Sequence, residues 1–340
     1  PARTTCYNYE HHRPDRPNVQ ARRVHKQVVT RGFMSAAMRS LMLVVPLIAF
    51  AVGGALYVPS ERSANDRNTG SEPALSSLPP LPSWAREDLP DFSGYQDTTE
   101  KKVAFFSFLY PRIVLANSRI LIERDYLDSL ANETALSKKE HTWLAAQSRR
   151  LRVEEEPGSP AQFALLRKRL DVIPPSLILA QAANESAWGT SRFALRGNNL
   201  FGQWCFSKGC GLVPLSRVEG ASHEVASFPS PYHSVRAYIQ NLNRHASYQG
   251  LRDTRLDDRE SGDPLSGLAL ARGLVSYSER GEEYVDEIRS MIRYNNLEFY
   301  DIEFRKILSD RSPSHLKDLA SASAEKTLLP GGSTRTSAEG

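Results

Sequence analysis

Residues 41–58, LMLVVPLIAFAVGGALYV, run for eighteen positions without a charge. A helix of that length nearly crosses the ~30 Å hydrocarbon core of a bilayer. The run therefore divides the chain into parts expected to face different compartments. Residues 1–39 carry eight Lys/Arg against two Asp/Glu, and positive charge stays on the cytoplasmic side of a span. This predicts a basic cytoplasmic tail over 1–40, a membrane anchor over 41–58 and an exported body. The alternative is a cleaved signal peptide starting at Met34, with MSAAMRS as its charged front, but no clean small-x-small cleavage site follows the apolar run. Because the tail carries +6 of a net +4, the rest of the chain is slightly acidic, and a nucleic-acid partner is not indicated.

Export bears on the cysteines. Cys6 precedes the anchor, whereas Cys205 and Cys210, in WCFSKGC, follow it. Their short separation, with Gly209 between them, allows a small disulfide loop in an oxidising compartment. A metal site needs more ligands; His223 and His233 are the nearest candidates and have no zinc spacing, so no metal is expected.

Residues 59–95 are rich in Pro, Ser, Asn and charge without an apolar period, the pattern of a flexible spacer. Over 98–131, Val103, Phe106, Tyr110, Ile113, Asn117, Ile120, Arg124 and Leu127 recur three and four apart, predicting an amphipathic helix that Pro111 should kink or divide. SKKE at 137–140 is a capping box for a second helix through Trp143 and Leu144. SPAQ at 159–162 opens a third with Pro160 at its first position, ending near Asp171. The first two read as a helical extension, 96–152, packed on a domain at 153–300. Within that domain, after IPPS, comes a helix over 175–188, followed by the turn-rich GNNLFG. Short alternating segments around Val213, Val218, Val225 and Phe228 predict a hairpin or pair of short strands. Helical periodicity returns over 231–249 and 264–296, with a break at Gly281. Residues 301–340, above all beyond 312, read as a mostly disordered extension. The fold class is α+β, mainly α.

The stretch NESAWGTSRFALRGNNLFG, 184–202, holds a single carboxylate, Glu185. Gln181 lies one helical turn before it, Leu177 two turns before, Trp188 on its flank, and Gly189 stops the helix. At a helix C-terminus beside aromatic surface, both the macrodipole and desolvation oppose the ionised form. A carboxyl kept protonated near neutral pH is what a general acid requires, and glycosidic oxygens leave well only when protonated. On spacing alone, a solvated glutamate at a helix end is the competing reading.

PPSLILAQAANESAWGTSRFALRGNNLFGQW, 174–204, resembles the signature of the exported glucosaminidase family of peptidoglycan hydrolases: a helix ending Glu-Ser-x-Trp-Gly-x-Ser, then an Asn-Leu-Phe-Gly turn. WCFSKGCGLVP, SVRAYIQNLNRHASY and LVSYSERGEEYVDEIRSMI are similar to the Bax branch of that family in Gram-negative bacteria. The likeness spans about residues 155–297. It implies a lysozyme-like fold in which a helical lobe and a small β-lobe flank a saccharide groove. Glu185 would be the general acid, and the second carboxylate would be Glu224 in preference to Glu219. Tyr277 would be the active-site tyrosine; Tyr284 is the second candidate, although its spacing to Ile288 and Met291 suits packing. Trp188, Asn199, Phe201, Trp204 and Tyr284 would line the groove or support it. The resemblance implies cleavage of peptidoglycan strands after N-acetylglucosamine by hydrolysis, without cofactor, by a monomer anchored in the inner membrane with its body in the periplasm. Inverting, retaining and substrate-assisted mechanisms stay open. The rivals are a lytic transglycosylase and a non-catalytic wall-binding scaffold.

Overall fold

The fold is organised by one helix, α1, Thr98–Leu130, in a computed structural model that describes residues 75, 77–215, 217 and 220–332. The basic tail, the uncharged run at 41–58 and the start of the spacer lie outside the described residues. The Asp97 carboxylate accepts from Glu100 N at 2.8 Å and starts α1. Pro111 does not divide the helix: Leu109, Tyr110, Ile113, Val114 and Leu115 on either side of it are all fully buried, and that packing outweighs the ~3 kcal/mol penalty of an interior proline. Every residue from Phe105 to Glu123, apart from Ser107 and Phe108, is buried. Helix α1 is therefore the interior of the fold and not an extension laid on its outside. It is long and apolar enough to cross a membrane, yet its apolar faces are occupied by the rest of the chain.

The charges on α1 are matched. Glu123, fully buried, accepts from Arg150 at 2.7 Å and pairs with Arg236. Arg112, also fully buried, donates to Glu325 Oε1 at 2.8 Å, Phe108 O at 2.6 Å and Trp84 O at 3.1 Å. Arg119 donates to Pro79 O at 2.8 Å and Ala320 O at 3.4 Å. These two arginines bind segments from both ends of the described chain to the core helix, and two expectations fall with that. The spacer does not run to 95, because Trp84, Ala85, Leu89 and Phe92 are buried and Trp84 Nε1 donates to Ala322 O at 2.7 Å. Residues 313–328 are not disordered: helix α11, Pro313–Ala320, and a 3-10 turn, Glu325–Leu328, pack on α1 through Leu316, Leu319, Ala320 and Leu328. A stripe that short is masked in composition by the Ser, Ala and Lys around it.

Around α1 come α2, Lys138–Leu151, with the capping box of Ser137 and Glu140 in place, and α3, Pro160–Arg169. The site helix α4 spans Pro175–Glu185 and the short α5 Arg192–Gly197. The predicted helix over 231–249 ends earlier, as α6, Pro231–Arg244; a second helix, α7, Gln249–Ser261, occupies a stretch too polar to show an apolar stripe. The span 264–296 resolves into α8, Gly267–Leu270, a 3-10 turn, and α9, Glu282–Tyr294, after the break at Gly281. Helix α10 is Glu298–Ile307.

The β-lobe is a three-stranded antiparallel sheet: β1, Trp204–Cys205, β2, Gly211–Leu212, and β3, Glu224–Ala226, in the order β1–β3–β2. Val225 in the central strand faces both Trp204 and Leu212 in register. Of the residues that suggested a hairpin, Val213 lies just past β2 and is exposed, Val218 is outside the described residues, and Phe228 follows β3, its N–H donating to Gly197 O. The class is α+β, mainly α.

Candidate active site

The site is built on α4. One of its first N–H groups, that of Ser176, which has no intrahelical partner, is taken by a side chain from α10. Asp301 accepts from Ser176 N at 2.8 Å, Ser176 Oγ at 2.6 Å and Gly267 N at 3.1 Å. Burial pushes the Asp301 carboxyl up to about 6 against these bonds. From Pro175 to Ala183 the helix is buried on all sides.

At its other end α4 stops on Glu185, earlier than the predicted limit of 188, so the acid is the last helical residue. A Schellman closure follows: Trp188 N donates to Ala183 O at 2.9 Å and Ala187 N to Asn184 O at 3.5 Å. Ser186 Oγ donates to Ala182 O and accepts from Gly189 N, at 2.6 and 2.7 Å. Ala187, Trp188 and Gly189 all take left-handed backbone, with φ of 51°, 59° and 77°. Two of them carry a Cβ, a conformation that costs roughly 1–2 kcal/mol each and that recurs where a functional side chain must be aimed. A Cβ at Gly189 would stand 2.7 Å from the Phe92 ring, so this turn is also pressed against the N-terminal segment.

Glu185 is half-buried. Its Oε1 accepts from the Tyr284 hydroxyl at 2.7 Å, that hydroxyl accepts from Gln181 Nε2 at 2.8 Å, and Gln181 Oε1 accepts from the Tyr238 hydroxyl. Tyr277 stacks on Tyr284 with centroids 5.2 Å apart, and its hydroxyl donates to Phe201 O at 3.0 Å. Burial pushes the Glu185 carboxyl up to about 7; the bonds from Tyr284 and Asn184 oppose this, Glu287 adds to it and Arg280 opposes it. Burial, reinforced by the Glu185 charge, also raises Tyr238, Tyr277 and Tyr284 well above the ordinary phenol range. They stay neutral donors. On α9, Glu287 lies one turn past Tyr284 and is held by Arg280 Nη1 at 2.6 Å.

The expected assignments are redistributed by this geometry. Tyr284, the second candidate, is the tyrosine that touches the carboxyl of Glu185; Tyr277, the first, stacks behind it. Asn199 is fully engaged: its amide donates to Gln203 O and Ala226 O and accepts from Phe201 N and Gln203 N. It braces the Asn-Leu-Phe-Gly turn and is not a sugar contact. Phe201 is fully buried and stacks on Tyr238 at 4.0 Å, so it is core as well. Trp188 is half-buried against Phe105 and Phe106 of α1. Trp204 stacks flat on His223, centroids 3.9 Å apart, and stays partly exposed on the β-lobe.

A disulfide joins Cys205 to Cys210. Glu224, buried in β3, does not have a free carboxylate: its oxygens accept from Gly209 N at 3.0 Å and Gly211 N at 2.8 Å. Those bonds, that of Gly209 first, hold it below the usual glutamate range. The residue clamps the disulfide loop, a partnership unreadable from strand alternation. Glu219, the other carboxylate considered, lies outside the described residues. The sequence reading also passed over Tyr238, Arg280 and Glu287. Tyr238 sits in the apolar stripe of SVRAYIQNL, where only the destination of its hydroxyl marks it as more than core.

Residues 161–297 match a family model, Glucosaminidase, described as mannosyl-glycoprotein endo-beta-N-acetylglucosaminidase. The chain is also 33% identical over 208 residues to Protein bax of Escherichia coli (strain K12), covering 61% of this chain and 74% of that one. The chain belongs to the glucosaminidase family. No solved structure matches it. The glucosaminidase match opens inside α3 and closes past the end of α9, so it holds α4, the β-lobe and α9. It leaves out α1, on which Trp188 packs, and α10, which supplies Asp301. Membership points to a glycosidase directed at peptidoglycan.

Proposed function

We propose that this glucosaminidase cleaves the β-1,4 bond after N-acetylglucosamine in peptidoglycan strands, with Glu185 as general acid. The observation that carries the reading is the Glu185 carboxyl itself, raised to about 7 by burial yet half-open at the end of α4, with a neutral Tyr284 hydroxyl on one oxygen. Such a group holds a proton at neutral pH and can deliver it to a glycosidic oxygen. Tyr284, together with Asn184, fixes the carboxyl rotamer at the half-open end of α4. The chain of Gln181 and Tyr238 behind it fixes Tyr284 in turn.

The engagement of Glu224 by its own loop favours a route that needs no second carboxylate. Glu185 protonates the leaving oxygen while the acetamido carbonyl oxygen of the N-acetylglucosamine attacks C1, closing an oxazolinium ring. The Glu185 carboxylate then takes a proton from water, which opens the ring at C1 and gives a reducing end of retained configuration. The same acid would also suit a lytic transglycosylase, in which a muramic hydroxyl attacks and no water enters. Trp204, partly exposed on the β-lobe, offers a face for a sugar ring.

Digestion of purified peptidoglycan with the protein, followed by mass spectrometry of the new ends, tests the proposal. Reducing-end N-acetylglucosamine, lost at least about a hundredfold in Glu185→Gln, supports it. Anhydro-muramic ends point to the transglycosylase, and cleavage unaffected by the substitution refutes the role of Glu185.

A further inference from the structure

Helix α9 continues past Tyr284 to Tyr294, about 15 Å farther along its axis at ~1.5 Å per residue. There Tyr294 is 82% exposed, more than any other Phe, Tyr or Trp among the described residues. Its ring is not isolated. Lys102 Nζ, from the start of α1, stands 4.9 Å from the Tyr294 centroid and 5.1 Å from that of Trp188. The same ammonium donates to Asn295 Oδ1 at 3.0 Å, and Asn295 Nδ2 donates to Met291 O at 2.9 Å. Trp188 is held edge-on by Phe105 and Phe106, centroids 5.9 and 5.3 Å away.

We propose that Lys102, Trp188, Tyr294 and Asn295 form a second saccharide subsite that takes a sugar ring bearing a carboxylate. Three features support it. Tyr294 presents an open aromatic face, the surface on which the apolar side of a sugar ring stacks. Fixing a lysine on an exposed ring costs side-chain entropy comparable to what the contact returns, so a lysine held by two rings and an amide is pre-organised for something else. An ammonium has three donors, of which Asn295 takes one; a carboxylate is the partner that the remaining donors and the charge select. The subsite is continuous with the acid in the chain: Trp188 belongs to the left-handed turn that follows Glu185, and Tyr294 to the helix that carries Tyr284. Lys102 comes from α1, ahead of the matched residues 161–297. The inference rests on the peptidoglycan reading above and deepens it. A neutral N-acetylglucosamine polymer would gain only the stacking, whereas a strand with an acid on every second sugar would gain the charge as well. The carboxylate can be that of the sugar's own ether substituent or that of an attached peptide.

The test is binding by the full chain carrying Glu185→Gln, which separates recognition from cleavage. Dissociation constants are measured by calorimetry for three probes: a peptide-free N-acetylglucosamine–muramic acid oligomer, the same oligomer with its peptides, and a neutral N-acetylglucosamine oligomer of equal length. Lys102→Met is expected to weaken both acidic probes about tenfold and the neutral one less than about twofold, with Lys102→Arg restoring most of the loss. Tyr294→Ala is expected to weaken all three. An effect of Lys102→Met on the peptide-bearing probe alone assigns the carboxylate to the peptide. Unchanged affinities in both variants, or equal losses on acidic and neutral probes in Lys102→Met, overturn the subsite. If the parent binds none of the probes, the peptidoglycan reading fails and takes the subsite with it; binding by the parent with no effect of substitution sinks the subsite alone.

Discussion

Removing the hydroxyl of Tyr284 should extend the activity of this protein to higher pH. In Tyr284→Phe, Glu185 Oε1 loses the bond of 2.7 Å from that hydroxyl, the largest influence lowering its pKa. A hydrogen bond to a charged group is worth about 1.5–3 kcal/mol, part of which the neutral carboxyl also enjoys. At ~1.36 kcal/mol per unit, the carboxyl should rise by roughly one to two units from about 7. In the proposed role the protonated form is the working one, so the alkaline limb of kcat/KM, which reports the free enzyme, should move up by the same amount. The rate at pH 5, where both proteins are protonated, should fall only severalfold through loosened positioning. The assay is the pH dependence of soluble fragment release from labelled peptidoglycan between pH 4 and 10. An alkaline limb that stays in place, or moves toward lower pH, would refute the assignment of the Tyr284–Glu185 bond as the control on this proton.

The other predictions concern charge and burial. Arg280→Gln should raise the alkaline limb and Glu287→Gln lower it, because the two charges act on Glu185 with opposite sign; shifts in the same direction, read from the same profiles, would contradict this. Glu185 has a folded pKa above its unfolded value, so its favourable contribution to stability is complete below about pH 4.5 and is lost as pH rises through about 7. Glu185→Gln should therefore leave urea stability near pH 4 little changed and raise it by about 2–3 kcal/mol at pH 8. Arg112→Ala should cost about 3–5 kcal/mol, because it strands the bond to Glu325 and the carbonyls of Phe108 and Trp84 in the interior. Limited proteolysis should then cut first near residue 325, and a protection pattern like that of the parent would count against the clamp.

The setting of Glu185 at the end of a helix was legible because Gly189 closes the turn behind it, and the helix caps were legible because Ser137, Glu140, Ser159 and Pro160 act on their own neighbours. What escaped the sequence was set by partners far along the chain. Periodicity placed Tyr284 on the packed face of α9, which is correct for its ring, but the hydroxyl ends on a residue 99 positions away. Glu224 was rightly put on a strand, yet its carboxylate is claimed by the turn that the disulfide draws back toward it. Pro111 signalled a break that complete burial of its surroundings overrides. Leu316 and Leu319 were lost in small and polar neighbours, although they cover the core helix.

The cap on α4 bears on how the fold can be divided. The carboxylate that holds the front of the acid-bearing helix, Asp301, lies beyond the last residue of the family match, while Phe92 and Phe105, which wall in its rear turn, precede the first. A gene fragment trimmed to the shared stretch would release both ends of α4 at once and lay bare the apolar wall now provided by α1. Grafting this glucosaminidase module into another protein, or shuffling it among relatives, would require carrying along the outer segments back to about Pro79 and forward to Leu328.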